Sequence, residues 1–171
     1  FAVNLFHTGG AGARPHKDGL SATAFPSGVR NTPVEINETV APLIFHRKEY
    51  RADSAGAGAT RGGLGQVIEI TSAIDADMEL LAAFERVTFP ARGRMGGNNG
   101  EVGSVTLKSG IKLAGKGTQM IEAGERVILH TPGGAGYGYA KNRDREKVAA
   151  DVADGLVTLE AARTVYGFDA T

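Results

Sequence analysis

The sequence predicts an α+β fold that is mainly β, with a barrel- or sandwich-like sheet domain, a short internal helix and two C-terminal helices. Three observations lead to this prediction. Short runs of alternating or β-branched residues recur about 8 to 12 residues apart, a spacing typical of sandwiches and barrels. Clusters of glycine separate these runs without a fixed repeat period. Helix-capping residues occur at one internal position and again in the C-terminal tail.

The length and the hydrophobic content bound the number of domains. A chain of 171 residues with 42% hydrophobic residues can bury one compact core. We expect a single domain over residues 1–171. In it, a glycine-rich segment near the site carries the short helix (1–65), a β-rich core follows (66–140) and a helical tail ends the chain (141–171). Because the chain starts at Phe1, without Met, within a strand-like alternating pattern, we expect it to have been cut from a longer protein.

The charge and the cysteine content exclude several classes of protein. The 19 basic residues balance 19 acidic ones, so the formal net charge is zero and nothing steers the chain toward nucleic acid or an anionic membrane. The chain has no cysteine, which excludes disulfides, cysteine-ligated zinc and thiol catalysis and fits a reducing compartment. No apolar run approaches the roughly 20 residues that cross a bilayer. We therefore expect a soluble, cytoplasmic protein with neither a nucleic-acid nor a membrane partner.

The predicted strands follow from period-two patterns. In QVIEITS, Ile68 and Ile70 face one way and Glu69 faces the other, as in a half-buried strand. MELLAAFERV (78–87) fits either period, and we favour a strand because RVTFP continues it. Apart from residues 78–87, the predicted strands are QVIEITS (66–72), RVTF (86–89), VGSVTLK (102–108), KGTQMI (116–121) and RVILHT (126–131).

Thr32, Pro33 and Glu35 predict the start of the internal helix. Threonine is a capping residue, proline suits the first helical position, and a glutamate three residues after the cap completes a capping box. The helix should begin at Pro33. It should stop or kink near Pro42, because proline cannot donate to the helix ladder.

Two helices are predicted in the tail. Asp144 caps the first, which Gly155 ends, and Thr158 caps the second, which Gly167 ends. The apolar residues of both helices recur at amphipathic spacing, so we expect the helices to pack onto the sheet domain. These residues are Val148, Val152, Leu159, Ala162 and Tyr166.

The stretch TPGGAGYGYA (131–140) resembles a phosphate-binding loop only in part. Gly133 and Gly138 stand five residues apart, as in a P-loop. A P-loop then needs Lys followed by Ser or Thr, but Tyr139 and Ala140 hold those positions. We therefore interpret the stretch as a glycine-rich turn that allows close backbone packing.

Few residues have the spacing of a metal site or of a nucleophile. The histidines His7, His16, His46 and His130 lack the paired spacing that presents two metal ligands on one element. Ser27 lacks the glycine frame of a nucleophile elbow. We therefore expect no metal site and no serine nucleophile in this chain.

Polar residues surround the predicted start of the internal helix. The guanidinium of Arg30, beside Asn31 and the free amides of a first helical turn, would hold an anionic or carbonyl oxygen; the alternative is a solvated loop arginine. Glu35 and Glu38 share a helix face and form either a carboxylate pair or, for Glu35, part of the capping box.

Long motifs occur in a fixed order along the chain. They are GGAGARPHKDGLSATAFPSGVRNTPVEINE, RKEYRADSAGAGATRGGLGQVIEI and TPGGAGYG, followed by the paired tail helices that end in VYGF. Taken together, from about Thr8 to Phe168, they resemble the C-terminal part of the hydantoinase B/oxoprolinase family.

The resemblance implies a function shared between two polypeptides. A B-type polypeptide works with an A-type partner that binds ATP and Mg²⁺. Together they open a cyclic amide such as a hydantoin or 5-oxoproline, or, in acetone carboxylase relatives, carboxylate a ketone. No cofactor is implied for this chain, and a divalent metal would be held by the upstream part of the B-type subunit. The alternative, from another class, is a non-catalytic assembly module that holds the A-type and upstream B-type parts together.

The resemblance also implies which residues line the substrate region. By motif position these are Asp18, Gly19, Arg30, Asn31 and Glu35. No catalytic residue and no metal ligand is implied within the chain itself.

Overall fold

The computed structural model describes residues 2–24, 29 and 32–169. In chain order its elements are α1 (Val34–Val40), β1 (Leu43–Tyr50), β2 (Gln66–Ser72), β3 (Met78–Ala83), β4 (Ser104–Leu107), β5 (Lys116–Ile121), β6 (Arg126–His130), a short 3₁₀ helix (Ala140–Asn142), α2 (Arg145–Ala153) and α3 (Leu159–Thr164). The named strands pair antiparallel throughout. This confirms the predicted α+β, mainly β fold. Within these ranges no helix is long and apolar enough to cross a bilayer.

Two sheets enclose the main apolar core. Strands β1, β2, β6 and β4 form a four-stranded sheet in that order, and β3 pairs with β5 in a two-stranded sheet. Alternate residues of β4 and β6 are buried, as expected for a sheet that packs on one face. The core draws residues from both sheets, so this part of the molecule is sandwich-like. Its buried residues are Ile68, Val105, Leu107, Ile121, Val127 and Leu129.

The strand predictions succeed where the alternation is regular. The bounds of β2 and β5 are those predicted, and MELLAA forms β3. The predicted strand RVTF is wrong: Arg86 has a φ of 55°, which lies outside the β region, and Phe89 is 77% exposed. The sequence patterns also miss β1. A register shift between Phe45 and Arg47 interrupts its alternation, and all eight of its residues are exposed or half-buried because it lies at the sheet edge.

Helix α1 begins one residue later than predicted, and it has no capping box. Pro33 occupies the N-cap position in an extended conformation, and no side chain caps the helix. The prediction that Thr32 and Glu35 form reciprocal caps was therefore wrong, because the proline shifts the frame by one residue and leaves Thr32 outside the helix. The side chain of Glu38 instead accepts a hydrogen bond from the Phe45 backbone N–H at 2.7 Å, which fastens α1 to β1.

The tail helices have the predicted caps. Asp144 accepts from the Glu146 N–H at 2.9 Å, and Thr158 accepts from the Ala161 N–H at 3.1 Å. Gly155 and Gly167 follow the helices with φ of 69° and 62°.

The surface against which the tail packs differs from the prediction. Val148, Ala162 and Tyr166 are buried against Ala57, in a glycine-rich segment, and against Ala140, the first residue of the 3₁₀ helix. Neither alanine belongs to the sheets. One predicted contact residue, Leu159, is 39% exposed.

Glycine-rich segments from four parts of the chain stack on one another through their backbones. The Gly134 N–H donates to the Gly63 carbonyl at 2.9 Å, and the Gly63 N–H donates to the Ala11 carbonyl at 2.8 Å. A Cβ on Gly134 would overlap the Ala11 carbonyl oxygen, so no side chain fits between the backbones. The close backbone packing predicted for TPGGAGYG is therefore confirmed, but the segment is irregular, with Tyr137 in isolated β-bridges to Thr60 and Arg94, and does not form a turn. We call the following segments the glycine layer: residues 9–12, 54–65, 93–100 and 132–138.

Replacing Gly134 with alanine tests the close packing of the glycine layer. We expect Gly134→Ala to lower the free energy of unfolding by roughly 2 to 3 kcal/mol or more, because the added methyl overlaps backbone that cannot rotate away. Gly12→Ala is the matched control, since a Cβ there is 4.0 Å from its nearest neighbour, the Ala135 carbonyl oxygen. The control should change stability by less than about 1 kcal/mol. Urea unfolding of both variants measures the difference, and equal stability would contradict the packing argument.

Candidate functional site

Four charged side chains form an ion network between the glycine layer and the tail. Arg61, Arg143 and Asp151 are buried, and Asp18 is half-buried. Arg143 donates from Nη1 and Nη2 to the two carboxylate oxygens of Asp18, at 2.8 Å each, and its Nη2 also reaches Asp151 Oδ2 at 2.8 Å. Arg61 donates from Nη2 to Asp151 Oδ1 at 3.0 Å and from Nε to Oδ2 at 3.2 Å. Two cations and two anions are thus fully paired.

Asp18 and Arg143 stay ionised because opposite charges and hydrogen bonds offset the cost of their burial. Burial alone would raise the pKa of Asp18, but its hydrogen bonds to Arg143 and to the Arg61 N–H lower that pKa below its usual value. Burial would also lower the pKa of Arg143, but hydrogen bonds and charge from Asp18 and Asp151 raise it. Asp18 and Arg143 are therefore charged at neutral pH.

Two of the predicted site residues, Asp18 and Gly19, belong to this network. Asp18 Oδ1 also accepts from the Arg61 N–H at 2.7 Å, and the Gly19 N–H donates to the Arg61 carbonyl at 2.8 Å. A Cβ on Gly19 would overlap the Ala11 carbonyl oxygen. Both oxygens of the Asp18 carboxylate are therefore occupied within the protein, and the pair fastens its loop to the glycine layer.

The charge of Asp151 can be removed at nearly constant shape. We expect Asp151→Asn to lower the free energy of unfolding by about 3 to 5 kcal/mol, because the amide leaves Arg61 and Arg143 buried with too little negative charge. Asp154→Asn, at the exposed end of α2, is the matched control and should change stability by less than about 0.5 kcal/mol. Thermal melting of both variants decides the matter. If the two melt alike, the network does not hold the tail in place.

A second polar group lies at the end of the four-stranded sheet. We call it the His7 cluster, and it consists of His7, Thr8 and Gln66. The His7 ring meets the Phe45 ring edge-on, with 6.2 Å between centroids. The Thr8 carbonyl accepts from Thr131 Oγ1 at 3.2 Å, and the same hydroxyl oxygen accepts from the Gln66 N–H at 2.6 Å. The N-terminal segment is thus attached to the start of β2.

The His7 cluster contains buried polar atoms without hydrogen-bond partners. In the described part of the chain these are Nδ1 and Nε2 of His7, Oγ1 of Thr8 and Oε1 of Gln66. Gln66 is only 6% exposed. Burial, and secondarily the charge of Lys48, lowers the pKa of His7 to about 4, so its ring is neutral at pH 7.

Of the other predicted site residues, only Glu35 lies within the described part of the chain. Arg30 and Asn31 lie outside it, as does Ser27. Lys48, whose charge acts on His7, donates from Nζ to the Thr32 carbonyl at 3.3 Å, immediately after the Arg30–Asn31 pair in sequence. Glu35 is exposed in the first turn of α1, and no hydrogen bond or ion pair joins it to Asp18 among the described residues.

The part of the chain that the structure describes contains no cluster of potential metal ligands. There, no three or more His, Asp or Glu side chains gather in a way that could hold a metal ion. His16 and His46 are exposed, while Nδ1 of His130 lies 3.2 Å from Ser104 Oγ. The histidines therefore do not converge on one ion within these residues.

Sequence reasoning missed Arg61, Arg143 and Asp151. The Arg61–Asp151 and Arg143–Asp18 contacts join residues 90 and 125 positions apart, which no local spacing indicates, and the pair Arg143–Asp151, eight positions apart, matches no motif that was considered. Gln66 was also missed, because it reads as an ordinary first residue of a strand.

The lowered pKa of His7 predicts a pH-dependent stability. The unfolded chain takes up a proton on His7 near its ordinary pKa of 6.5, while the folded chain resists protonation until about pH 4. Stability from this group is therefore complete above pH 6.5 and decreases as the pH falls toward 4, by roughly 1 to 3 kcal/mol. We expect His7→Leu to reduce this loss, whereas His16→Leu, at an exposed histidine, should not. Melting temperatures recorded from pH 7 to pH 4 measure this loss of stability. If the melting temperatures of His7→Leu and of the unchanged protein fall equally with pH, the loss does not come from His7.

Comparisons with known proteins agree with this fold. The family model for hydantoinase B/oxoprolinase matches residues 1–140. The caprolactamase subunit beta of Pseudomonas jessenii is 33% identical over 176 aligned positions, which cover 92% of this chain and 29% of that protein. The acetophenone carboxylase delta subunit of Aromatoleum aromaticum is 27% identical and covers 94% of this chain and 29% of that protein. Both relatives are named as subunits.

A solved structure extends the comparison to three dimensions. The crystal structure of ATP-dependent caprolactamase from Pseudomonas jessenii matches 93% of this chain and 29% of its own, with a TM-score of 0.80 and 29% identity. The chain thus spans less than a third of the length of these relatives. Since the family model covers most of the chain and the same fold recurs in caprolactamase, the chain belongs to the hydantoinase B/oxoprolinase family.

Proposed function

We propose that this chain is the C-terminal part of a B-type subunit that opens a cyclic amide, hydantoin- or oxoproline-like, together with an A-type partner that binds ATP and Mg²⁺. The observation that carries the proposal is the likeness to ATP-dependent caprolactamase, which extends over nearly the whole chain at a TM-score of 0.80. Because the chain spans less than a third of that enzyme, the activity is proposed for the complete subunit with its partner, in the cytoplasm.

The proposed chemistry explains why ATP is needed. A ring amide is a poor electrophile, and transfer of the γ-phosphoryl group of ATP to its enol-like oxygen turns that oxygen into a leaving group. Water then adds to the ring carbon, and cleavage of the C–N bond releases the amine and leaves an acyl phosphate. A second water hydrolyses the acyl phosphate to the carboxylate and inorganic phosphate. Tyr139 and Ala140 stand where a P-loop needs Lys and Ser or Thr, and the described residues gather no metal set, so we assign the ATP site to the partner.

In this proposal the chain supplies residues that line the substrate region and residues that hold them in place. Arg30, Asn31 and Glu35 face the substrate, while Asp18 and Gly19 hold their loop in place through the ion network. Two observations support this division. The Asp18 carboxylate is saturated by Arg143 and the Arg61 N–H, whereas Glu35 is exposed and makes no side-chain hydrogen bond in the described residues. Glu35 therefore remains available to a ligand and Asp18 does not.

Two other functions have specific observations in their favour. The acetophenone carboxylase relative, aligned over 94% of this chain, favours a ketone carboxylase. The lack of a metal set in the described residues, together with the fully paired ion network, favours a non-catalytic module that holds the larger parts of the complex together.

A reconstituted complex discriminates these functions. The complete B-type subunit and its A-type partner are incubated with ATP, Mg²⁺ and, separately, hydantoin, 5-oxoproline and ε-caprolactam. We expect ADP release coupled to ring opening of at least one of them, measured by mass spectrometry. The 171-residue chain alone should release no ADP. Incorporation of labelled bicarbonate into acetone or acetophenone, without ring opening, would replace the hydrolase with the carboxylase.

The role of Arg30 is tested in the same complex. We expect Arg30→Ala to lower kcat/KM by roughly tenfold or more, because a charge-assisted contact to substrate is lost. The substitution should change the free energy of unfolding, measured by thermal melting, by less than about 0.5 kcal/mol. Arg163→Ala, in the exposed last turn of α3, is the matched control and should leave both quantities unchanged. If Arg30→Ala melts early and its activity follows the folded fraction, the arginine is structural.

A further inference from the structure

A groove separates the tail helix α3 from the loop at residues 96–101. One end of it is a cavity of about 170 Å³, and a wider depression of about 540 Å³ adjoins that cavity. Asn98 and Val165 line both, so the two form one continuous site, which we call the tail groove. Its lining residues lie in four segments: 53–61, 96–101, 139–142 and 156–166. The tail groove is therefore built where the glycine layer meets the tail.

The cavity end of the tail groove has a buried base and an acidic mouth. Tyr166 lies at the base, since it is only 4% exposed. Glu101 stands at the mouth with its side chain 60% exposed, and the half-buried Asp53 also lines the cavity. Arg61 adds no net charge here, because Asp151 neutralises its guanidinium.

Three side chains in the groove have hydrogen-bonding capacity that the described residues leave unused. The Tyr166 hydroxyl group makes no hydrogen bond there, although the residue is buried. The Asn98 side chain is exposed and also makes none, while its backbone N–H is fixed to the Ala57 carbonyl at 2.7 Å. The Glu101 carboxylate accepts no hydrogen bond, and its ion-pair partner Arg51 is 4.0 Å away. The groove therefore has free donors and acceptors around a net negative mouth.

These features favour a cation on an apolar stem. A lysine side chain buries its methylene groups against apolar walls and keeps its ammonium group near carboxylates and water. Ala161 and Val165 offer such walls beside Asn98. An ammonium group is a compact charge that two carboxylates share more readily than a planar guanidinium, so the pair Asp53 and Glu101 favours lysine over arginine.

The Asn98 amide and the length of the groove favour a polypeptide over a free amine. A primary amide has donors and an acceptor on one group, which matches the N–H and C=O of an extended backbone. The depression continues the site beyond Asn98. Lys141 lines this depression, and none of its described lining residues is acidic. The two ends of the groove thus differ in charge, which orients a bound segment with its lysine at the cavity end.

The length of related proteins indicates the source of the segment. This chain covers only 29% of the caprolactamase subunit beta and 29% of the acetophenone carboxylase delta subunit. More than two thirds of a subunit of that kind thus lies outside these 171 residues. A segment tethered in the same polypeptide has a high effective concentration, so it fills the groove ahead of a separate protein.

We propose that the tail groove holds an extended segment of the rest of the B-type subunit, with a lysine ammonium group beside Glu101 and Asp53 and with Asn98 hydrogen-bonded to the backbone of the segment. The inference rests on the part of the proposed function that makes this chain one piece of a B-type subunit. It does not depend on the reaction, so it is tested without substrate.

Carboxylate labelling of the complete subunit tests the proposal. A carbodiimide with glycine ethyl ester converts accessible carboxylates to amides, which mass spectrometry assigns to single residues. We expect Glu101 to be labelled roughly tenfold more slowly in the folded subunit than in urea, because the segment covers it. Glu122 is the matched control, since it is exposed and its side chain has no partner among the described residues. Its two rates should differ by less than about twofold.

The carbodiimide without the added amine identifies the occupant. It joins a carboxylate directly to a lysine that is in contact with it. We expect Glu101 or Asp53 to be joined to a lysine of the same subunit that lies outside the 171 residues.

Asn98→Ala in the complete subunit tests the hydrogen bonds to the segment. Their loss should loosen the segment and raise the labelling rate of Glu101 roughly threefold to tenfold. Asn4→Ala, at an exposed asparagine that does not line the groove, is the matched control and should leave that rate unchanged. The labelling rate of Glu122 should stay the same in both variants, which separates uncovering of the groove from general unfolding.

Each contrary result overturns the proposal. Labelling of Glu101 as fast as in urea means that the groove is empty. Cross-links from Glu101 only to the A-type partner mean that a different polypeptide fills it. A protected Glu101 that is joined to no lysine, or whose labelling Asn98→Ala does not change, means that the cover is not the proposed segment. None of these results bears on ring opening, which the reconstituted complex measures separately.

Discussion

Direct contact between backbones in the glycine layer is the constraint on which the rest of the structure depends. A Cβ at Gly133, Gly134 or Gly136 would overlap a carbonyl oxygen of another segment. The backbones of these segments therefore pack in direct contact, which fixes their relative positions. The strands of the large sheet continue directly from that layer: β2 starts at Gln66, one residue after its second segment, and β6 ends at His130, two residues before its last. The tail helices pack against Ala57 of the same layer. Both the sheet and the tail therefore take their positions from the layer.

Local patterns predicted much of this fold, because they are caused by neighbouring residues. The caps at Asp144 and Thr158 and the alternation in β2 depend on residues within a few positions of each other. The failures have equally physical causes. In β1 a bulge interrupts the alternation, and near Arg86 a positive φ ends the extended chain where β-branched residues favour a strand. At Pro33 the proline occupies the cap position itself.

The candidate site was predictable only in part, because its contacts are long-range. Asp18 stands out in sequence, but its partner Arg143 lies 125 residues away. The two polar centres also differ in kind. In the ion network, charge and hydrogen bonding are complete, as expected of a structural centre. In the His7 cluster they are incomplete, and proteins tend to keep such local cost where function requires it. The ion network and the His7 cluster are therefore distinguished by whether their buried polar atoms are hydrogen-bonded, and not by the types of residue they contain.

The ion network also constrains the order in which the chain can fold during synthesis. Asp151 leaves the ribosome 90 residues after Arg61, whose guanidinium it neutralises. Until α2 has been made, closing the glycine layer around Arg61 would bury a cation without its counter-charge. We therefore expect the early glycine-rich segments to stay open until α2 has been made. A nascent polypeptide that stops before α2 is an incomplete folding unit and a substrate for degradation, although it already contains every strand of both sheets.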